Sequence, residues 1–178
     1  MNLSKLLSTK EREAILHVIL FKEGEISVAD VSRSLNLSKG FISRFFTLLF
    51  QQKIMKKSKN KYTIIDNLNV RLLKILLNLE LFSEFNFRKY EYVNGAGIYG
   101  SCAKGENTES SDVDIYVKIK IRDEEKLANL TGALKRISRK ISPLYLTQEK
   151  LEVLQREDPT FYNALVYGSI KIYGEDIV

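Results

Sequence analysis

The sequence has few cysteines, prolines and glycines and no long hydrophobic run. A single cysteine, Cys102, excludes an internal disulfide and a zinc site built from several thiolates. Two prolines and nine glycines in 178 residues argue against a long flexible linker or a low-complexity tail. The apolar runs are far shorter than the ~18 residues that span a bilayer, and no secretory signal pattern opens the chain. We therefore expect a cytoplasmic protein without a membrane partner.

The excess of positive over negative charge is confined to the first half of the chain. Residues 1–90 carry 16 Lys and Arg against 8 Asp and Glu, whereas residues 91–178 carry 12 against 14. The net charge of +6 therefore divides into +8 and −2. Such asymmetry indicates one part that faces a polyanion and another that holds cations, although surface lysines also fall unevenly by chance.

The first 66 residues show the pattern of three helices followed by a hairpin. Thr9, Ser27 and Ser38 are N-cap candidates for helices that run to about Phe21, Leu35 and Gln52. Ile54–Met55 and Tyr62–Ile64 then predict two short strands around a lysine-rich tip. Over about residues 8–65 this order resembles the winged-helix transcription regulators of bacteria and archaea.

That resemblance implies binding to double-stranded DNA through the third helix and the hairpin. On the third helix the candidate base-edge contacts are Lys39, Ser43, Arg44 and Thr47. On the hairpin the candidate phosphate contacts are Lys56, Lys57, Lys59 and Lys61. The alternatives are that the lysines only keep the turn soluble, or that the domain binds a protein.

A strongly apolar helix is predicted from Asn67 to about Arg88. Its leucines leave only a narrow polar stripe that consists of Asn67, Arg71, Lys74 and Asn78. A helix of this kind must be covered on most sides, either by the core of one domain or by a second copy in a homodimer.

From Val93 onward, strands alternate with helices. The predicted strands are Ala96–Tyr99, Val113–Ile121, Ile141–Leu146 and Ile170–Tyr173, with helices over Glu124–Lys140, from Thr147, and over Tyr162–Tyr167. The chain is therefore predicted to be α+β: a winged helix-turn-helix domain over residues 1–66, a connecting helix over 67–90, and a small mixed β-sheet with helices over 91–178.

The residues with catalytic potential lie in the segment from Gly100 to Asp114. Asp112 and Asp114 are two positions apart at the start of an apolar strand, so their carboxylates point to the same face. Two carboxylates on one face suit a hard cation such as Mg²⁺. Gly100 and Ser101 follow a strand and open a helical turn whose N–H groups suit phosphate oxygens, and Lys104 adds a positive charge.

The combined pattern Gly-Ser-x-Ala-Lys-Gly, five residues, then Ser-Asp-x-Asp resembles the signature of the DNA-polymerase-beta-like nucleotidyltransferases, in particular their minimal prokaryotic branch, over residues 88–178. The resemblance implies a triphosphate site and metal ligation by Asp112 and Asp114, with one or two Mg²⁺ ions. The implied reaction transfers a nucleoside monophosphate from an NTP, most simply ATP, to a hydroxyl of a protein or another acceptor. The nucleotide-binding residues would be Gly100, Ser101, Lys104, Gly105 and Ser111.

One departure leaves catalysis open. The family often carries a third carboxylate on a neighbouring strand, but Ile141–Leu146 holds no acid, and the reach of Glu149 and Glu152 is not given by the sequence. Three functions follow: a transferase that modifies a helical partner protein in a toxin–antitoxin-type pair, a nucleotide-sensing transcriptional regulator with a weak or inactive transferase fold, or an antitoxin-like scaffold.

Overall fold

A computed structural model describes residues 1–178, which divide into two compact units. The first comprises Met1–Lys74 with Thr108–Ser110, and the second comprises Ile75–Asn107 with Ser111–Val178. The predicted domain limits at residues 66 and 90 stay a prediction. No helix is both long and apolar enough to cross a membrane.

The first unit contains a helical cluster and a hairpin. Its elements are α1 (Leu3–Leu6), α2 (Lys10–Ile19), α3 (Val28–Leu35), α4 (Lys39–Gln51), β1 (Met55–Ser58), β2 (Lys61–Ile64) and the first half of α5 (Leu68–Glu80). The side chains of Thr9, Ser27 and Ser38 cap α2, α3 and α4 as predicted.

The hairpin is attached to the helices through Tyr62. Its ring lies edge-on to Phe46 of α4, with ring centroids 4.9 Å apart, and its backbone pairs with Ile26. The strands are longer than predicted, because pairing continues from Met55 opposite Ile64 to Ser58 opposite Lys61. Most of the lysines therefore lie in the strands and not at the turn.

Helix α5 is shorter than the apolar pattern predicts. It ends at Glu80, and tight turns follow in which the N–H groups of Phe82 and Phe85 donate to carbonyls three residues back. Phe82 and Phe87 then enter the core of the second unit. Burial of these rings, rather than helical periodicity, explains the apolar residues beyond Glu80.

The second unit is built on a four-stranded mixed sheet in the order β5-β4-β3-β6. Its elements are β3 (Val93–Ile98), α6 (Gly100–Lys104), β4 (Val113–Ile119), α7 (Glu124–Ile137), β5 (Ile141–Leu146), α8 (Gln148–Glu157), α9 (Pro159–Gly168) and β6 (Ile170–Gly174), after a short 3₁₀ turn at Phe87–Lys89. Strand β3 is antiparallel to β4 and β6, and β4 is parallel to β5. The predicted mixed α+β architecture is thus confirmed for this unit.

Helices cover both faces of this sheet. Alternate residues of β4, such as Ile115 and Val117, pack with Leu130 and Leu134 of α7. The other face, represented by Tyr116, packs with α8 and α9. Strand β5 lies at an edge of the sheet and contains Pro143. Because β4 runs through the centre with both faces covered, its first residues are held in a fixed position.

Candidate functional site

The acid pair lies at the start of β4. Asp114 is the second residue of the strand and Asp112 precedes it, while Val113 and Ile115 between and after them point into the core. The alternation of a strand therefore directs both carboxylates away from that core. Asp112 is exposed and Asp114 is partly buried.

The Asp114 carboxyl is in a setting unfavourable to its charge. Burial raises its pKa above the usual range for aspartate, and the nearby charge of Asp112 raises the pKa further. No side-chain donor or cation in the protein compensates this carboxylate. A divalent cation would fit the pair, because it would neutralise both charges with the oxygen ligands that it prefers.

The turn after β3 brings backbone directly against this carboxylate. Gly100 begins α6 with φ +63°, a left-handed conformation that favours glycine. A Cβ at Gly100 would lie 3.0 Å from Oδ2 of Asp114. The Tyr99 N–H donates to the Asp114 carbonyl at 3.1 Å. The predicted phosphate turn and the predicted metal pair are therefore in contact.

The C-terminal end of α6 is also capped by a glycine. Gly105 is left-handed, with φ +66°, and its N–H donates to the carbonyls of Ser101 and Cys102. The Glu106 N–H also donates to the Ser101 carbonyl, at 2.9 Å. At the start of the helix, by contrast, Tyr99 provides no side-chain cap. The C-terminal carbonyls of the turn are thus satisfied, whereas its N-terminal amides receive no side-chain acceptor.

The remaining predicted nucleotide residues surround this turn. Ser101 and Ser111 are partly buried, and Lys104 is exposed at the last position of α6. Cys102 is fully buried, and burial raises the pKa of its thiol, so it remains a neutral packing group. Burial, followed by the charge of Asp114, raises the pKa of Tyr99 to about 12.

Two asparagines that the sequence analysis did not select hold the turn in place. Asn78 of α5 and Asn107 are 2% and 4% exposed, and each side-chain amide donates to the other's carbonyl oxygen at 3.0 Å. Asn78 Nδ2 also donates to the Cys102 carbonyl at 2.9 Å. The pair thereby ties α6 and the segment after it to α5. Asn78 appeared only as part of a polar stripe, and no local signal indicated its long-range partner.

Ser142 lies beside Asp114 on the neighbouring strand. In the parallel register of β4 and β5, Asp114 is paired with Ser142. The adjacent strand therefore offers a hydroxyl at this level and no carboxylate.

Neither glutamate considered as a substitute lies there. Glu149 lies in the first turn of α8, after the end of β5 that pairs with Lys118, whereas Asp112 precedes the opposite end of β4. Glu152 accepts a hydrogen bond from Gln148 on α8. Both acids therefore lie on α8 and not on the strand beside Asp114.

The predicted DNA contacts all lie on the surface of the first unit. The following eight side chains are exposed: Lys39, Ser43, Arg44, Thr47, Lys56, Lys57, Lys59 and Lys61. Lys57 Nζ also lies 5.7 Å from the centre of the Tyr62 ring. Phe50 of α4 is 52% exposed, so the apolar character of this helix does reach the surface.

Comparison with known proteins concerns the second unit. No curated protein matches the chain significantly. A crystal structure from Sulfolobus solfataricus, of a protein provisionally described as a nucleotidyltransferase, aligns over 59% of this chain and 84% of its own, with 17% identity and a TM-score of 0.36. The profile of the family described as "Polymerase beta, Nucleotidyltransferase" matches residues 85–177, more than half of the chain. This match confirms the resemblance inferred from Gly100–Asp114, and the chain belongs to the polymerase beta nucleotidyltransferase family.

Proposed function

We propose that the second unit transfers a nucleoside monophosphate from an NTP, most simply ATP, to a hydroxyl of its acceptor with the help of Mg²⁺. The observation that carries the proposal is the contact between the Gly100 turn and the Asp114 carboxylate. A triphosphate bound at the turn would lie beside an acid pair whose charges a cation would neutralise.

The residues of the site would have separate roles. Asp112 and Asp114 would hold the cation, and the family generally works with NTPs and divalent metals. Ser101 would donate its hydroxyl to a phosphate oxygen, Lys104 would add a positive charge, and Gly105 and Ser111 would shape the pocket around the phosphates. When bound, Mg²⁺ neutralises charge on the triphosphate. Ser142 at the neighbouring position makes one firmly held cation better supported than two.

The transfer itself makes and breaks one bond at phosphorus. The acceptor hydroxyl oxygen attacks the α-phosphorus in line, the bond to the bridging oxygen of the β-phosphate breaks, and pyrophosphate leaves. The hydroxyl proton passes to solvent, since the chain places no third acid at this level of the sheet. The role of the protein is mainly to position the reactants and neutralise charge.

Label transfer tests this proposal. With Mg²⁺ and α-labelled NTP, the protein should release pyrophosphate and transfer label, and Asp112→Asn and Asp114→Asn should each abolish transfer. The exposed Asp66, which pairs with Arg71 in the first unit, offers a matched control as Asp66→Asn. Equal transfer by the Asp114 variant and this control would refute the catalytic role of the pair.

A second candidate function is a nucleotide-sensing regulator, and Ser142 is the observation that favours it. Without a third acid, the site suits binding better than rapid turnover. This candidate predicts that the wild-type protein binds NTP with Mg²⁺ and transfers no label to any acceptor tested. An antitoxin-like scaffold would instead bind a helical partner without binding nucleotide.

We also propose that the first unit is a winged-helix domain that binds double-stranded DNA. Three capped helices, a hairpin and eight exposed polar or basic side chains support this proposal. Homodimer formation belongs to the same proposal, and it is supported by the exposed leucines along α5, which are Leu68, Leu72 and Leu76.

A further inference from the structure

An open cleft lies beside Asp112, between α7 and the edge strand β5. It has a volume of about 390 Å³, and its lining includes Asp112 and Ser142. Three cationic residues complete its charged lining, namely Lys135, Arg139 and Lys140. Every residue of the cleft belongs to the second unit.

The charge of this cleft is opposite to that of its surroundings. Residues 91–178 carry a net charge of −2, yet the cleft holds three cations and one acid. Lys135 and Arg139 are exposed, and neither takes part in an ion pair. An anion that entered the cleft would meet these two positive groups without displacing a carboxylate from them.

Stabilisation of the α7 dipole does not account for the whole cluster. A cation in the last helical turn interacts favourably with the C-terminal end of a helix, and Lys135 lies in that turn. The helix ends at Ile137, so Arg139 and Lys140 lie beyond it. Arg139 therefore needs another explanation.

The residue beside Asp114 on β5 is Ser142 and not a carboxylate, so no negative charge at this position opposes an anion. Ser142 is the neighbour of Asp114 in the parallel pair and is exposed at the cleft. A carboxylate at this position would repel a phosphate, whereas a serine side chain carries no charge. The same three cations would repel a positively charged acceptor such as a polyamine.

We propose that this cleft binds a phosphate group of the acceptor, so that the acceptor is a phosphate ester and not a cationic small molecule. The inference rests on the proposed function, because it assigns the acceptor side of the same reaction. Asp112 contributes to both the cleft wall and the acid pair, so a phosphate held by Lys135 and Arg139 would bring a nearby hydroxyl of the same molecule towards the reacting phosphorus. The donor triphosphate is assigned to the Gly100 turn and not to this cleft.

Amide signals of Arg139–Ser142, followed by NMR in the full-length protein, test the proposal directly. Two probes are titrated, ribose 5-phosphate and a short single-stranded oligonucleotide, with the donor site filled by a non-hydrolysable NTP analogue and Mg²⁺. We expect a saturable shift of these signals. Lys135→Gln and Arg139→Gln should each weaken probe binding about tenfold or more, since hydrogen bonds to charged groups are among the strongest in proteins. Arg136→Gln is the matched control, because Arg136 is exposed on the same turn of α7 but does not line the cleft.

The outcomes separate the acceptor site from the donor site. Unchanged signals, or a shift equally strong in the Lys135 and Arg139 variants, would overturn the proposal. An NTP-analogue affinity that falls by the same factor in these variants would assign the cleft to the donor and overturn it as well. Failure of the wild-type protein to bind the analogue would refute the proposed function. The amide shifts of Arg139–Ser142 would then still show whether the cleft binds the phosphate probes. Tighter, salt-dependent binding of the oligonucleotide would identify a nucleic-acid strand as the source of the phosphate, and equal binding would identify a small phosphate ester.

Discussion

Replacement of Asn78 by alanine should destabilise the second unit and loosen the Gly100 turn together. The change removes the two hydrogen bonds between Asn78 and Asn107 and the one from Asn78 to the Cys102 carbonyl. Each buried polar group that loses its partner costs about 1–3 kcal/mol. The Cys102 carbonyl still accepts from Gly105, so the carbonyl oxygen and the NH2 group of the Asn107 side chain carry most of the loss.

We therefore expect Asn78→Ala to lower the free energy of unfolding by about 2–4 kcal/mol. Urea unfolding at neutral pH measures this loss, and the m-value should stay constant because the surface exposed on unfolding does not change. Asn163, exposed on α9, provides the control as Asn163→Ala and should change stability by less than about 0.5 kcal/mol. A loss no larger than that of the control would refute the reasoning.

A double variant separates the role in stability from the role in positioning the turn. Asn78→Leu combined with Asn107→Leu replaces both partners by apolar groups and should recover part of the lost stability. The Cys102 carbonyl still lacks its anchor on α5, so the affinity for NTP should remain low in the folded double variant. Recovery of both quantities would show that the pair only stabilises the fold.

The other predictions concern the acid pair, the glycine turn and the hairpin. Asp114→Asn removes a partly buried charge and its repulsion by Asp112, and it should raise the free energy of unfolding at neutral pH by up to about 1 kcal/mol, since water near a partly exposed group weakens both effects. The pKa of Asp114 is raised in the folded protein, so this gain should vanish as the pH falls and the wild-type carboxyl becomes protonated. For the same reason, Mg²⁺ affinity measured by calorimetry should be lost at a higher pH than expected for an ordinary aspartate. Gly100→Ala should lower the free energy of unfolding, measured by thermal melting, by about 1 kcal/mol or more, because the backbone at this position is left-handed. It should also weaken Mg²⁺ binding, because the new Cβ would meet Oδ2 of Asp114. A variant that is fully stable and binds Mg²⁺ would contradict this geometry. DNA affinity of the wild-type protein should fall steeply with salt. Joint replacement of the hairpin lysines Lys56, Lys57 and Lys59 by alanine should flatten the slope of log affinity against log salt by roughly 2–3. The same replacement of three exposed lysines of the second unit, Lys89, Lys120 and Lys150, should leave the slope unchanged.

The sequence predicted those parts of the fold that local patterns encode. The three N-caps of the first unit, the strand Ile141–Leu146 and the order of elements after Val93 follow from neighbouring residues, and they match the structure. Element ends were less accurate: α7 stops at Ile137 and not at Lys140, because its last turn is followed by an extended Ser138. Periodicity does not determine where a helix ends when apolar residues continue past it.

The candidate site was predictable only in part. Gly100 and the acid pair share one short segment, and the resemblance of that segment to the nucleotidyltransferase signature predicted that they would meet. Asn78, Ser142 and the cationic cleft depend on how α5, β5 and α7 pack against that segment. Those contacts join residues that are far apart in the chain, and no local pattern encodes them.

Pro143 in β5 has a consequence for self-association. A strand at the edge of a sheet offers unpaired N–H and C=O groups to another chain, which is a common route to aggregation. Proline has no N–H, so the third residue of β5 cannot donate to an added strand. Pro143→Val would restore a complete row of donors next to the exposed Ser142, and it should make the protein more prone to intermolecular β-sheet formation. The proline ring of Pro143 thus protects the edge strand next to the acid pair against pairing with a second chain.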